Sequence, residues 1–163
     1  MWGKGCAGAL LALGLCGCTG GLDPAMVPVE AKISGTVWFR GPWPPPDSLL
    51  DLRVVAFQVY PPTNVLEEVL GGRALFSERL PAAPSVERAS YEITVPQPPM
   101  VFRYIIVAQQ YGPDIFRHWR VIGVYTRDTV SYRPDSLWVE PGGVYPNVNI
   151  QVDFERLPPQ PFP

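Results

Sequence analysis

Proline is the residue that most narrows what this chain can fold into. The sequence carries 21 Pro in 163 residues, and Pro neither donates to a sheet ladder nor fits the interior of a helix. Their placement is the informative part. Seven apolar-rich runs, at residues 31–39, 52–60, 74–80, 90–95, 101–110, 119–125 and 147–154, contain no Pro at all. Pro fills the gaps between them instead, as Gly41-Pro-Trp-Pro-Pro-Pro46, Pro61-Pro62, Pro96 to Pro99, Gly112-Pro113 and Pro141-Gly-Gly143.

Within the Pro-free runs the apolar residues recur with a period of two, the signature of strands with one covered face. Ile33, Gly35, Val37 and Phe39 share one face of the first run, and Lys32, Ser34, Thr36 and Trp38 share the other. Residues 52–60 are apolar on both faces, as a central strand requires. The run at 90–95 sets Tyr91, Ile93 and Val95 against Glu92 and Thr94. The last run is the cleanest: Val148, Ile150, Val152 and Phe154 oppose Asn147, Asn149, Gln151 and Asp153. Only residues 65–70 read as a short helix. Seven short strands with turn signals between them predict an all-β fold, a single seven-stranded antiparallel β-sandwich of transthyretin-like or Ig-like Greek-key type. The sandwich is expected over residues 30–156, followed by a Pro-rich tail at 157–163, with no second domain and no repeat.

The first thirty residues have a different character. A weakly basic start with Lys4 precedes ten apolar residues, 6 to 15. As a helix these would span about 15 Å, half of a hydrocarbon core of about 30 Å, so the segment reads as a signal sequence and not a membrane span. Leu15-Cys16-Gly17-Cys18 ends it, an aliphatic residue and a small residue placed before Cys18. This resembles the lipobox of bacterial lipoproteins, whereas Leu15 is too bulky to precede a modified Cys16. The resemblance implies a signal peptide at 1–17 and a diacylglyceryl thioether with an acylated amine on Cys18, a palmitate-type anchor that holds the protein in the membrane. Thr19, in place of the Asp that retains enteric lipoproteins at the inner membrane, favours the outer membrane, with its face left open. Residues 18–29 form a flexible tether. All three Cys lie at 6, 16 and 18, so the remainder has no thiol for a disulfide, zinc knuckle or nucleophile.

Several short segments bear a further resemblance. Ile33-Ser-Gly-Thr-Val37, Leu52-Arg-Val-Val-Ala-Phe57, Tyr91-Glu-Ile-Thr-Val-Pro96 leading to Tyr104-Ile-Ile-Val-Ala108, and Val139-Glu-Pro-Gly142 with Val148-Asn-Ile150 are similar to the carboxypeptidase regulatory-like domains of the transthyretin-like (prealbumin-like) group. The acidic-Gly-aromatic turn usual before that family's central strand is replaced here by residues 81–89. The resemblance implies a non-catalytic module attached to secreted or cell-envelope proteins.

Candidate sites are few. The single His, at 118, has no nucleophile or carboxylate arranged around it in sequence and reads as a loop or edge residue. Arg117 and Arg120 suit either a solvated edge or a phosphate or carboxylate. Asp47, Asp51, Glu67, Glu68, Asp114, Asp128 and Asp135 are scattered, without the spacing of a calcium loop. A formal charge of −2, which loss of Lys4 would take to −3, offers nothing to nucleic acid. Neither a metal site nor a cofactor is expected. The remaining lead is aromatic: Trp38 on the polar face of the first strand and Trp43 in the Pro-rich loop after it suit stacking on sugar rings, or packing on neighbouring loops. Trp43-Pro-Pro-Pro46 also suits a stiff polyproline segment that meets a partner. The reading is a lipid-anchored envelope protein with a structural, scaffolding or partner-binding role and no catalysis. The alternatives are a carbohydrate-binding module using Trp38 and Trp43, and a hydrolase with an undetected carboxylate pair.

Overall fold

The computed structural model describes residues 29–161. Cys18, the signal segment 1–17 and most of the tether at 18–29 lie outside the described residues. No helix among the described residues is long and apolar enough to cross a membrane.

The Pro-free runs form strands. In chain order they are β1 (Ala31–Arg40), β2 (Asp51–Phe57), β3 (Ala74–Phe76), β4 (Arg88–Val95), β5 (Met100–Phe102), β6 (Tyr104–Gln110), β7 (Trp119–Val124), β8 (Leu137–Val139), β9 (Val144–Tyr145) and β10 (Ile150–Asp153), with one helix, α1 (Val65–Leu70), between β2 and β3. No Pro falls inside any strand. The helix begins where a polar cap is available, with the Asn64 side chain accepting from the Glu67 N–H at 2.8 Å. It ends at Gly71-Gly72, Gly72 taking a φ of 70° that other residues avoid.

The all-β class holds, but the seven-stranded antiparallel sandwich does not. Instead the strands make one curled, mixed sheet of order β3-β2-β6-β7-β10-β1-β4, with β9 also paired to β1, and a separate two-stranded sheet of β5 and β8. The cause lies in β1, whose length lets it serve several partners. Residues Ala31 to Trp38 pair antiparallel with β4, while Val37 to Arg40 pair parallel with β10 and Lys32 and Ile33 pair parallel with β9. A strand that hands over from one partner to another joins what would otherwise be two sheets. Alternation in sequence reports which face a residue takes and is silent on strand direction.

The curl encloses the core. Ile33 and Val37 of β1, Leu52 and Val54 of β2, Ile93 of β4, and Ile105 and Val107 of β6 are all buried on the inner face, joined by Ile122, Ile150 and Val152. Burial of each such side chain contributes about 1.5–3 kcal/mol before entropy is charged against it. A second, smaller cluster lies on the outer face of β2, β6 and β7, where Val55, Ile106, Ala108 and Val121 are covered by Val65 and Val69 of α1 and by Trp119. A bulge opposite Val107 and Ala108 shifts the β6–β7 register, so that Ile122 turns inward and Val124 outward although strict alternation would put them on one face. At Gly123 the neighbouring strand comes too close for a side chain: an added Cβ would lie 2.9 Å from the Gln151 carbonyl oxygen.

Candidate functional site

On the outer face of the sheet, the strands β1 and β10 and the end of β7 leave a groove of about 400 Å³. Its floor and one wall follow directly from alternation. Trp38 and Arg40 are outward positions of β1, and Asn149, Gln151 and Asp153 are the outward set on and just before β10. Register brings them together, with Trp38 opposite Gln151 and Arg40 opposite Asp153. The bulge places Val124 beside Gln151, completing the floor.

The opposite wall is the loop after β7. The Thr126 hydroxyl accepts from the Asp128 N–H at 2.9 Å and bonds the Arg133 carbonyl, which closes the loop on itself. The Ser131 hydroxyl and the N–H groups of Ser131 and Val130 hold the Asp128 carboxyl below its usual range and pin the turn. This loop is fastened to the chain after β10. The Tyr132 hydroxyl donates to the Arg156 carbonyl at 2.9 Å, the Arg156 guanidinium donates to the Val130 carbonyl at 3.1 Å, and the same guanidinium lies 5.8 Å from the Tyr132 ring centroid. The wall is therefore built, not merely near.

Trp38 is 43% exposed. The guanidinium carbon of Arg88, its cross-strand partner on β4, lies 5.6 Å from the ring centroid. Arg88 covers the β4 side of the indole and does not line the groove, so the other face of the ring is the one the groove presents.

The second aromatic candidate is placed differently. Trp43 packs on the core edge, its ring centroid 4.8 Å from Phe39 and 4.8 Å from Phe154. Trp119 donates from its indole to the Ile115 carbonyl at 2.8 Å, and Trp138 donates to the Glu140 carboxylate. Trp38 and Trp43 thus do not share a surface role in this fold.

Several of the other candidates have structural partners. His118 accepts from the Asp114 N–H through Nδ1 at 3.1 Å and lies 5.3 Å from the Tyr111 ring, fastening the loop between β6 and β7. Arg120 donates to the buried Gln109 side chain at 3.0 Å. With Arg117 it also borders a second cleft, of about 470 Å³, against Leu157 and Pro158. Asp51 pairs with Arg53 at 2.8 Å, Glu68 with Arg73 at 2.6 Å and Asp135 with Arg127 at 3.1 Å. Asp114 caps its own loop by accepting from the Phe116 N–H at 2.9 Å. No group of three or more His, Cys, Asp or Glu residues able to hold a metal ion occurs among the described residues. Asp153, the carboxylate in the groove lining, accepts from the Glu155 N–H at 3.0 Å.

Arg40, Gln151, Tyr132 and Arg156 were not singled out from sequence as site residues. The outward alternation of β10 marked Gln151 as solvent-facing, and nothing local tied it to Trp38 or to a loop twenty residues earlier. Fold and site together define a class: an all-β domain with an open, aromatic and hydrogen-bonding groove on the outer face of its sheet. No family model, curated protein or solved structure matches the chain.

Proposed function

We propose that this protein is a lipid-anchored component of the bacterial cell envelope, held in the outer membrane through Cys18, whose β domain binds a partner and does not catalyse a reaction. The anchor rests on Leu15-Cys16-Gly17-Cys18 behind a short apolar run. The binding role rests on one observation, the built groove with the exposed Trp38 ring on one wall and the fastened Tyr132–Arg156 wall on the other. A volume of about 400 Å³ is in the range of small-ligand sites. The resemblance of residues 33–37, 52–57 and 91–96 to carboxypeptidase regulatory-like segments supports a non-catalytic module.

The exposed indole favours a glycan as that partner, because a flat, electron-rich face suits the C–H bonds on one side of a sugar ring. Position along β1 suits presentation: Trp38 is seven residues past Ala31, about 23 Å along the strand from the end where the tether enters. The deciding experiment is a glycan array probed with the purified protein and its Trp38→Ala variant. Binding that disappears in the variant is the expected result, and binding unaffected by it refutes the assignment of the groove.

A further inference from the structure

We propose that the groove selects acidic glycans: a sugar ring lies against the free face of the Trp38 indole while the Arg40 and Arg156 guanidiniums take its carboxylate or sulfate. This inference rests on the glycan-binding reading above and adds the charge of the ligand to it.

The argument begins with charge that has no internal partner. The ion pairs of the described residues engage Lys32, Arg53, Arg73, Arg79 and Arg127, none of which lines the groove. Arg40 is exposed and makes neither an ion pair nor a side-chain hydrogen bond among the described residues, although Asp153 stands opposite it in register. Arg156 spends one N–H on the Val130 carbonyl, and its remaining donors are uncommitted. Arg88 adds a third guanidinium behind the indole. Against these the lining offers one carboxylate, Asp153. In a chain of net charge −2, the groove lining therefore sets two guanidiniums against one carboxylate, a local excess of positive charge.

The neutral donors fit the same ligand. Asn149 has its Oδ1 occupied by the Thr36 N–H at 2.9 Å, which leaves its NH₂ to donate. Gln151, opposite Trp38, has no side-chain partner among the described residues. Amides beside an indole suit ring hydroxyls, and the planar guanidinium fork suits a carboxylate or sulfate. Arg40 is two residues beyond Trp38 on the same face of β1, about 7 Å along the strand, within reach of a substituent on a ring stacked over the indole. An acidic peptide fits less well. Main-chain recognition needs a free strand edge, and β1 is flanked here by β4 and β10.

The test uses the full chain on an array of uronate-bearing and sulfated oligosaccharides printed beside neutral oligosaccharides, with W38A and R40Q variants checked for unchanged circular dichroism. The expected result is binding to acidic oligosaccharides that is lost in W38A, weakened about tenfold in R40Q, and weakened further as salt rises from about 50 to about 500 mM. Binding of neutral and acidic oligosaccharides alike, dependent on Trp38 and indifferent to Arg40 and to salt, overturns the acidic selectivity and leaves the glycan groove standing. Absence of any Trp38-dependent binding removes both.

Discussion

Replacing Gly35 with Ala probes the tightest approach at any glycine of the described residues. A Cβ built on Gly35 would lie 2.1 Å from the Val148 carbonyl oxygen and 3.1 Å from the Tyr91 ring. That carbonyl is also the acceptor of the buried Tyr91 hydroxyl at 2.5 Å. Neighbouring bonds hold the same segment, with the Val148 N–H donating to the Ser34 carbonyl at 3.0 Å and the Thr36 N–H to Asn149 Oδ1 at 2.9 Å. The substitution must therefore drive the chain before β10 away from β1 by about 1 Å. Overpacking of this kind costs about 1–3 kcal/mol, and loss of the Tyr91 hydrogen bond adds about 1 kcal/mol. A loss of about 3 kcal/mol follows, or about 10 °C in Tm for a domain of this size. Urea unfolding followed by circular dichroism measures it directly. Tyr91→Phe sharpens the test: if the methyl group added at Gly35 has already displaced the Val148 carbonyl, the double variant is less destabilised than the sum of the singles by about 1 kcal/mol. Gly72→Ala is the control, since φ there is +70° with nothing within 4 Å, and its cost is the backbone term alone, about 1 kcal/mol. A Gly35→Ala protein within about 0.5 kcal/mol of the parent, or full additivity with Tyr91→Phe, would refute the packing argument.

The buried Glu68 carboxyl is held below its usual range chiefly by the Arg73 hydrogen bond, with the Thr63 N–H assisting, and against the opposing effect of burial. A folded-state pKa below the unfolded one stabilises the fold above the ordinary carboxylate range, and the contribution is lost as pH falls through the folded value. The urea midpoint should fall on acidification below about pH 4.5, with a shallower acid limb in Glu68→Gln; equal limbs would contradict the pairing. Asp128 and Asp135, depressed in the same direction by Ser131 and Arg127 respectively, keep some slope in the variant. The two tryptophans should separate cleanly. Trp43→Ala strips a ring packed between Phe39 and Phe154 and costs about 2 kcal/mol in thermal unfolding without changing ligand binding, whereas Trp38→Ala leaves stability within about 0.5 kcal/mol and abolishes binding. The reverse pattern would reassign the site to the Pro-rich loop. Cys18→Ser should abolish metabolic palmitate labelling and release the protein from membranes; label retained in the variant defeats the anchor assignment.

Legibility from sequence stopped at a definite physical boundary. Alternation in residues 31–39 and 147–154 determined which side chains face the core, because the side-chain period of a strand is a local property of its backbone. Pro excluded from ladders delimited the strands, and residues 65–70 were readable as the short helix that forms there. For the same reason the polar faces that carry Trp38, Asn149 and Gln151 were readable as outward. Partner, direction and register were not. The parallel union of β1 with β10 depends on contacts more than a hundred residues apart, and no residue of either strand encodes its neighbour's direction. The bulge that turns Val124 to the groove floor is likewise a property of the β6–β7 pair. Trp38 and Trp43 looked equivalent in the chain, five residues apart and both beside polar or Pro-rich neighbours. Tertiary structure separated them, because Phe154 closes over Trp43 while Arg88, Gln151 and the Tyr132–Arg156 wall leave one face of Trp38 open. Faces are local and so are written in sequence; what a face meets is settled only when the sheet curls.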